Sequence, residues 1–180
     1  MGNVLKDVEL RLIAELMKNS RRSDRDLAKS IGTSQPTVTR IRGKLEKEGY
    51  IREYTAIPDL RRIGYEILAL TFVKLKTGLT EEETEKAREM ARDSINKFPF
   101  GFAMIERGIG MEYNGVIITY HQSYASYLEL LKSLRKFTFL ELSKVDGFLI
   151  SLADEVHYVP LTMSSLAKHV LTLQKEKKHK

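Results

Sequence analysis

The stretch between residues 23 and 54 constrains the fold of this chain more than any other. Ser23 and Asp26 are spaced as a capping box, in which two side chains satisfy free N–H groups at the start of a helix. Gly32 allows a tight turn after this short helix, and Ser34 is placed to cap the next one. Two short helices joined by a tight turn form a helix-turn-helix arrangement.

The second of these helices has an apolar face and a defined end. Val38, Ile41 and Leu45 recur at helical spacing and are expected to face the core. Gly49 favours the left-handed conformation that ends many helices. The residues that follow, 50–57, predict a short strand pair or an extended wing. Residues 1–58 are therefore predicted to form a winged helix-turn-helix domain.

The outward positions of the second helix carry side chains suited to nucleic acid: Gln35, Thr37, Thr39, Arg40, Arg42 and Lys44. Arginine reads guanine edges and glutamine reads adenine, whereas threonine and lysine suit the phosphate backbone. Arg22, Ser34 and Arg52 flank these helices and are further candidates for DNA contact. The alternative is an ordinary solvated helix face. The capped two-helix frame favours double-stranded DNA, with the second helix in the major groove.

Basic charge is concentrated in the same part of the chain. The 180 residues carry a formal charge of +6, and residues 1–65 hold 14 of the 30 basic and 9 of the 24 acidic residues. These residues therefore account for +5 of the total, as binding to phosphates requires.

Several classes of function leave no signature in the sequence. The chain has no cysteine, which excludes disulfides, thiolate zinc sites and a cysteine nucleophile. The four histidines, at 121, 157, 169 and 179, are not at metal-ligand spacing, and no Gly-rich phosphate loop or hydrolase motif occurs. We expect no metal, no cofactor and no catalytic residues, and therefore not an enzyme.

The N-terminus and the hydropathy pattern bear on location. Charged residues occupy positions 6, 7 and 9, where a signal peptide needs an apolar run. No stretch approaches the ~18 apolar residues of a membrane-spanning helix. We expect a cytoplasmic protein with no membrane partner.

Residues 67–160 show a different pattern of elements. Strands are predicted at 67–76, 102–107, 116–121, 137–145 and 148–153, the last two separated by the turn-forming pair Asp146-Gly147. One helix is predicted from a capping box at Thr80 and Glu83 to about Lys97, ended by Pro99, and another spans 123–134. A Gly-containing turn is predicted at 108–115. The order βαββαβ with an extra strand predicts an α+β fold, with a ferredoxin-like sandwich following the N-terminal domain.

Four segments follow from these patterns. Residues 1–58 form the DNA-binding domain, 59–66 a linker with Gly64 as hinge, 67–160 the sheet domain, and 161–180 a helix over 161–173 with a charged tail. One face of the sheet would be apolar and uncovered by helices. Such a face indicates a homodimer or a higher homo-oligomer.

A series of landmarks in the first 76 residues matches a known family in register. They are an acidic start followed by a leucine-rich helix, the Asn19-Ser20-Arg21 break, Leu27-Ala28 with Ile31-Gly32, Thr37-Val38, Leu45-Glu46 with Glu48-Gly49, and Gly64-Tyr65. The chain resembles the Lrp/AsnC family of transcription regulators, and its second half matches that family by the order of its elements. The resemblance implies a DNA-binding regulator that dimerises through its C-terminal sheet and often forms higher oligomers.

The resemblance also implies a small-molecule effector site in the turn between the second and third strands of the sheet domain. The matching residues here are Gly110, Glu112 and Asn114. In the family this turn carries a glycine and an aspartate, and the acid position is best matched by Asn114. An amide cannot offset an ammonium charge as a carboxylate does, which argues against an amino-acid effector. A different effector, or none, stays open.

Two other functions are compatible with this architecture. Siroheme decarboxylases resemble the family in both domains, and His121 and Arg107 would be the residues to hold tetrapyrrole carboxylates. An architectural DNA-binding protein without effector control is the third alternative. The basic outward face of the second helix favours a sequence-specific DNA-binding regulator over the enzyme.

Overall fold

The computed structural model describes residues 5–97, 100–154 and 161–172. The chain divides into two compact units. The N-terminal unit comprises Met1–Ile57 together with Tyr158–Lys180, and the sheet unit comprises Pro58–His157. Among the described residues, the N-terminal unit contains helices and no strand, whereas the sheet unit combines a sheet with helices.

The N-terminal unit begins with three helices: α1 (Asp7–Lys18), α2 (Asp24–Ile31) and α3 (Gln35–Lys47). The predicted helix-turn-helix is confirmed, with Gly32 in the left-handed conformation at φ +71° between α2 and α3. Ser23 accepts a hydrogen bond from the Asp26 N–H, as the capping box predicts. Local sequence signals thus fix both ends of α2.

One apolar cluster holds these helices together. Four of its side chains, which come from all three helices, have 0% exposure: Leu12, Leu27, Val38 and Leu45. Burying a side chain of this kind stabilises a fold by about 1.5–3 kcal/mol. The predicted inward face of α3 is therefore confirmed.

Residues 51–57 follow α3 without forming a helix or a strand. The strand pair offered for this wing as one alternative does not form. Ile51 packs against the helical core, whereas Tyr54 and Ile57 are about half exposed. A strand needs a neighbour to satisfy its backbone groups, and this segment finds none among the described residues.

The sheet unit alternates strands with helices: β1 (Ile67–Leu75), α4 (Glu81–Lys97), β2 (Gly101–Gly110), β3 (Tyr113–His121), α5 (Tyr124–Leu134) and β4 (Leu140–Ser151). The four strands form one antiparallel sheet in the order β2-β3-β1-β4. This order and connectivity are those of the predicted ferredoxin-like fold.

The extra strand predicted after α5 is wrong. Residues 140–151 form a single strand, in which Asp146 and Gly147 pair with Phe72 and Thr71 of β1. A Cβ on Gly147 would lie 1.9 Å from Tyr127 Oη. Glycine is required here because a ring of α5 approaches the strand, and not because the chain turns.

The long Gly-containing turn predicted at 108–115 is also wrong. Strands β2 and β3 run on to Gly110 and Tyr113, which pair with each other. The turn is made by Met111 and Glu112 alone, at φ +50° and +67°. Positive φ at both central residues belongs to the type I′ turn, which matches the twist of adjacent strands.

The two helices of this unit begin as predicted. Thr80 and Glu83 form the capping box of α4, with the Thr80 N–H donating to Glu83 Oε2 at 2.8 Å. Ser123 caps α5 by accepting from the Ser126 N–H. Pro99, predicted to end α4, lies outside the described residues.

A short C-terminal helix, α6 (Ser164–Val170), completes the N-terminal unit. It packs against α1, and Ala14 of α1 and Ala167 of α6 are both fully buried. Small side chains allow two helices to approach closely. The helix predicted over 161–173 is thus shorter than expected, and the charged tail lies outside the described residues.

Candidate functional site

Helix α3 is capped at its N-terminus and exposes one face. Ser34 Oγ accepts a hydrogen bond from the Thr37 N–H at 3.4 Å and lies 2.8 Å from Thr37 Oγ1. Because Val38, Ile41 and Leu45 are buried, the positions between them point away from the core. The predicted DNA-contact residues on this helix differ in what their side chains already bind.

Asp24, the first residue of α2, binds two of them. Thr39 Oγ1 donates to Asp24 Oδ2 at 2.6 Å, and Arg42 Nη2 lies 2.8 Å from Asp24 Oδ1. The side chains of Asp24 and Arg42 are both mostly buried. Thr39 and Arg42 therefore fix the position of α3 against α2.

Lys44 is the counter-ion of a buried carboxylate. Its Nζ lies 2.8 Å from Oε1 of Glu9, whose side chain is only 5% exposed, and the Lys6 N–H donates to the other oxygen at 2.7 Å. Burial raises the pKa of Glu9, but the hydrogen bonds from Lys44 and Lys6 outweigh it and hold the pKa below its usual 4.5. The bond to Glu9 also raises the pKa of Lys44.

Arg22, just before α2, also has intramolecular partners. It forms an ion pair with Glu15 of α1, donates to the Asp26 carbonyl at 3.0 Å and contacts Ser30 Oγ. Arg22 therefore joins α1 to α2, and most of its donors are engaged.

Arg40, Gln35 and Arg52 differ from these residues. All three are exposed, and their side chains form no hydrogen bond or ion pair with any described residue. The Thr37 hydroxyl contacts only the neighbouring cap, Ser34. The geometry thus leaves the N-terminal half of the outward face of α3 with unengaged donors and acceptors.

Gly43 is a residue of this face that the sequence analysis did not select. It lies about one turn beyond Arg40, and no atom lies within 4 Å of where its Cβ would be. A glycine inside a helix costs roughly 0.5–1 kcal/mol relative to alanine. The mid-helix glycine itself was the available signal, because it indicates close approach by another backbone.

Tyr54 connects the segment after α3 to this helix. Its hydroxyl donates to Glu46 Oε1 at 2.7 Å, and the Arg42 guanidinium carbon lies 5.9 Å from its ring centroid. Burial and then the bond to Glu46 raise the pKa of Tyr54 to about 12. Arg42 therefore lies between Asp24 and Tyr54 in one polar network.

The predicted effector residues in the β2–β3 turn are held by bonds within the sheet unit. Glu112 forms an ion pair with Lys144 of β4, and this hydrogen bond lowers the pKa of Glu112. The Leu75 N–H donates to Asn114 Oδ1 at 2.6 Å, and Asn114 Nδ2 donates to the Leu75 carbonyl at 3.1 Å. Gly110 supplies only backbone, at the end of β2.

His121, the candidate for the tetrapyrrole alternative, is 1% exposed. Its ring nitrogens lie 2.8 Å from Thr119 Oγ1 and 3.1 Å from Ser126 Oγ. Burial lowers the pKa of His121, which keeps the ring neutral. The ring is thus a satisfied part of the core, whereas Arg107, the other candidate, is exposed on β2.

The described residues contain no group of three or more His, Asp or Glu side chains that could hold a metal ion. His169 is exposed on α6, and His157 and His179 lie outside this part of the chain. No helix among these residues has the length and apolar character needed to cross a bilayer.

Comparison with known proteins places this site in a family. Residues 5–52 match the family model for winged helix-turn-helix DNA-binding domains. The chain is 36% identical over 107 residues to the uncharacterized HTH-type transcriptional regulator PF2053 of Pyrococcus furiosus, covering 59% of this chain and 66% of that protein. It is 32% identical to PYRAB00690 of Pyrococcus abyssi, an uncharacterized regulator of the same type, over 63% of this chain and 70% of that protein.

Other similarities carry the family name. The leucine-responsive regulatory protein of Rhizobium meliloti is 33% identical over 40% of this chain and 46% of its own length. Among solved structures, PH0061 of Pyrococcus horikoshii superposes with a TM-score of 0.66 at 23% identity, over 89% of this chain and all of that chain. Escherichia coli AsnC does so with a TM-score of 0.64 at 16% identity, over 87% of this chain and 98% of that chain. The chain belongs to the HTH-type transcriptional regulators, and its fold is that of the AsnC regulator.

Proposed function

We propose that this protein is a sequence-specific regulator that reads double-stranded DNA with the N-terminal half of α3. The observation that carries the proposal is that Arg40 and Gln35 are exposed and unengaged, on a helix where Thr39, Arg42 and Lys44 are held by other helices. A guanidinium in this position suits a guanine edge, and an amide suits an adenine.

The remaining candidates take supporting roles in this proposal. Thr39, Arg42 and Lys44 set the orientation of α3 through Asp24 and Glu9. Ser34 and Thr37, at the helix N-terminus, are placed for phosphate contacts, where free N–H groups attract anions. Arg52, exposed in the segment after α3, would contact a phosphate, whereas Arg22 acts mainly by joining α1 to α2.

The first experiment selects bound DNA from a random pool and measures affinity for the selected site. Arg40→Ala should weaken binding to that site by roughly 1–3 kcal/mol and relax the preference at one base pair. Arg11→Ala, which removes an exposed arginine from α1, is the matched control and should leave the motif unchanged. An unaltered motif and affinity in Arg40→Ala would refute the assigned orientation of α3.

Substitutions at Gly43 distinguish an effect on DNA binding from an effect on folding. Gly43→Ala should stabilise α3 by roughly 0.5–1 kcal/mol, since its Cβ would meet open space. We propose that DNA approaches α3 at this point, so Gly43→Leu should retain the fold and lose most DNA affinity. Wild-type affinity in Gly43→Leu would show that DNA does not approach there.

Assembly through the sheet is the second part of the proposal. The sheet face that bears Leu68, Leu70, Phe72, Phe148 and Ile150 is apolar and partly exposed, with Phe148 at 62%. We propose that two copies, or a higher even number, pair through this face. A two-fold axis would place two α3 helices about 34 Å apart, so the operator should be a pseudo-palindrome.

Sedimentation tests this assembly directly. Phe148→Glu should convert the full-length protein to monomers and lower its affinity for a palindrome far more than for a single half-site. Tyr124→Glu, which adds the same charge at an exposed aromatic on α5, is the control. A wild-type protein that sediments as a monomer at micromolar concentration would contradict the proposed dimer.

Further expectations concern location, linkage and chemistry. We propose that the protein acts in the cytoplasm, where its DNA lies, and that residues 59–66 link the DNA-binding and sheet domains. We propose no enzymatic role, because His121 is buried and already paired. A tetrapyrrole titration should give no shift in visible absorbance, and a saturable shift would favour the decarboxylase alternative.

One structural neighbour was solved in complex with an amino acid. It is the transcriptional regulator NMB0573 of Neisseria meningitidis bound to L-Met, which has a TM-score of 0.66 at 17% identity over 91% of this chain and 99% of that chain. We propose that the β2–β3 turn of this chain does not bind an amino acid, because Glu112 and Asn114 already have partners. Calorimetry with the twenty amino acids should detect no binding.

A further inference from the structure

A large cavity lies in the sheet unit beneath α4. Its volume is about 760 Å³, and it is lined by α4, α5, the strands β1, β2 and β3, and the segment that leads into β4. Protein interiors seldom contain voids larger than a water molecule, whereas small-molecule sites have volumes of roughly 300–1,000 Å³. The cavity is therefore of ligand size.

The sequence of α4 explains why the cavity exists. The residues that α4 directs at the sheet include Thr84, Ala87 and Ala91, which recur at helical spacing and are all small. Leucine or isoleucine at these positions would reach the sheet and fill the space. The helix instead stands above the sheet on short side chains.

The walls and the cavity mouth differ in chemistry. The walls are apolar, with Val73, Ile117, Leu130, Leu134 and Leu140 among the lining residues. Four cationic residues, Lys76, Arg88, Arg92 and Arg107, also line it, and Glu106 is the one carboxylate among the described lining residues. The cavity thus combines an apolar body with an excess of positive charge.

Arg88 and Arg92 mark the polar end. Their side chains are 54% and 70% exposed, so they lie where the cavity meets solvent. Both pair with the same carboxylate, since Arg88 lies 2.7 Å and Arg92 3.5 Å from Glu85. One carboxylate cannot satisfy the ten N–H donors of two guanidinium groups. Donors therefore remain for an anion from outside.

We propose that this cavity binds an apolar monocarboxylate, with its hydrocarbon body against the sheet and its carboxylate at Arg88 and Arg92. The carboxylate would accept charge-assisted hydrogen bonds from the guanidinium groups, which favour carboxylates over neutral oxygens. The cavity lining includes Asn114 but neither Gly110 nor Glu112 of the β2–β3 turn, and the site does not depend on DNA binding by α3.

Calorimetry on the full-length protein tests the proposal with three probes that differ in body shape: dodecanoate, the isoprenoid acid farnesoate, and 4-phenylbutyrate. Each is compared, below its micelle concentration, with the alcohol of the same skeleton. At least one acid should bind saturably at one per chain and at least tenfold more tightly than its alcohol. No saturable binding of any acid, or equal binding of acid and alcohol, would overturn the proposal.

Variants of α4 locate the site. Ala87→Leu with Ala91→Leu should fill the cavity and weaken binding at least tenfold without lowering the melting temperature. Arg88→Gln with Arg92→Gln should reduce the affinity of the acid to that of its alcohol. Lys86→Gln removes a charge from α4 outside the cavity and should bind normally. Unchanged binding in the filled variant would show adsorption elsewhere and refute the site.

Methyl NMR of the unaltered protein gives a test that needs no variant. With alanine methyl groups labelled, the acid should shift the signals of Ala87 and Ala91 and leave those of Ala14 and Ala28 in the N-terminal unit unmoved. Shifts confined to other alanines would place the ligand elsewhere and overturn the assignment.

Discussion

Helices α2 and α4 are both amphipathic and both capped, yet they pack in opposite ways. In the N-terminal unit, α2 directs Leu27 and Ile31 into the buried apolar cluster of the three helices. In the sheet unit, α4 directs Ala87 and Ala91 at the sheet and leaves a cavity of about 760 Å³. Periodicity therefore predicts that a helix forms, whereas side-chain size at the inward positions determines how closely it packs.

The largest expected effect is on the free energy of unfolding when a leucine is truncated to alanine, and it should differ between the two units. Leu27→Ala removes a side chain with 0% exposure from the buried cluster of three helices and should cost about 2–5 kcal/mol, near the upper end. Leu140→Ala, at the cavity wall, should fall near the lower end, because one side of this leucine already lacks neighbours. Hydrogen exchange resolved by unit measures both, and equal costs would contradict the comparison.

Within the sheet unit, α5 packs tightly against β4 at Gly147, whereas α4 leaves a cavity above the sheet. Gly147→Ala should cost roughly 1–3 kcal/mol, because the new Cβ overlaps Tyr127. In a Tyr127→Leu background the same change should cost much less, because the overlapping ring atoms are gone. Thermal unfolding of the wild type, the two single variants and the double variant gives the coupling free energy between Gly147 and Tyr127. Additive effects would show that this contact does not govern the packing of α5.

The Lys44–Glu9 ion pair makes the stability of the N-terminal unit depend on pH. Because the folded-state pKa of Glu9 lies below 4.5, the pair contributes stability above about pH 4.5 and loses it as pH falls through the folded-state pKa. Lys44→Met should raise the pKa of Glu9 as measured by carboxyl NMR and weaken the N-terminal unit at neutral pH. Lys86→Met, at an exposed pair of α4, should change neither quantity.

The smallest effect expected is spectroscopic and concerns Tyr54. With its pKa raised to about 12, Tyr54 should stay protonated at pH 11, where exposed tyrosines ionise. The bond to Glu46 is fully present below pH 10 and is lost as pH rises through about 12. Glu46→Gln should lower this pKa in ring NMR titrations, with Tyr54→Phe assigning the signal. An ordinary pKa in the wild type would show that the segment does not dock on α3.

Predictions from the sequence are confirmed where structure is decided locally. Both ends of α2 and α3 and the starts of α4 and α5 follow from caps and glycines, because these signals act within one helical turn. The predictions were wrong at Gly147 and at 108–115, where the same residue types serve other purposes. The glycine in β4 accommodates a ring of α5, which is distant in sequence.

The DNA-contact set shows the same division. Sequence spacing placed Arg40, Arg42 and Lys44 together on the outward part of α3. Only the fold brings Asp24 to Arg42 and Glu9 to Lys44, leaving Arg40 without a described partner. These partners come from other helices, and no pattern within α3 encodes them.

The βαββαβ order of the sheet unit, the helix-turn-helix and the family of this protein could be predicted from the chain alone, because caps, periodicity and motifs are properties of neighbouring residues. Folding in three dimensions established which polar side chains are engaged, why Gly147 is required, and how far α4 stands from the sheet. These features depend on side chains from separate elements meeting in space, where volume and charge are matched only after the chain has folded.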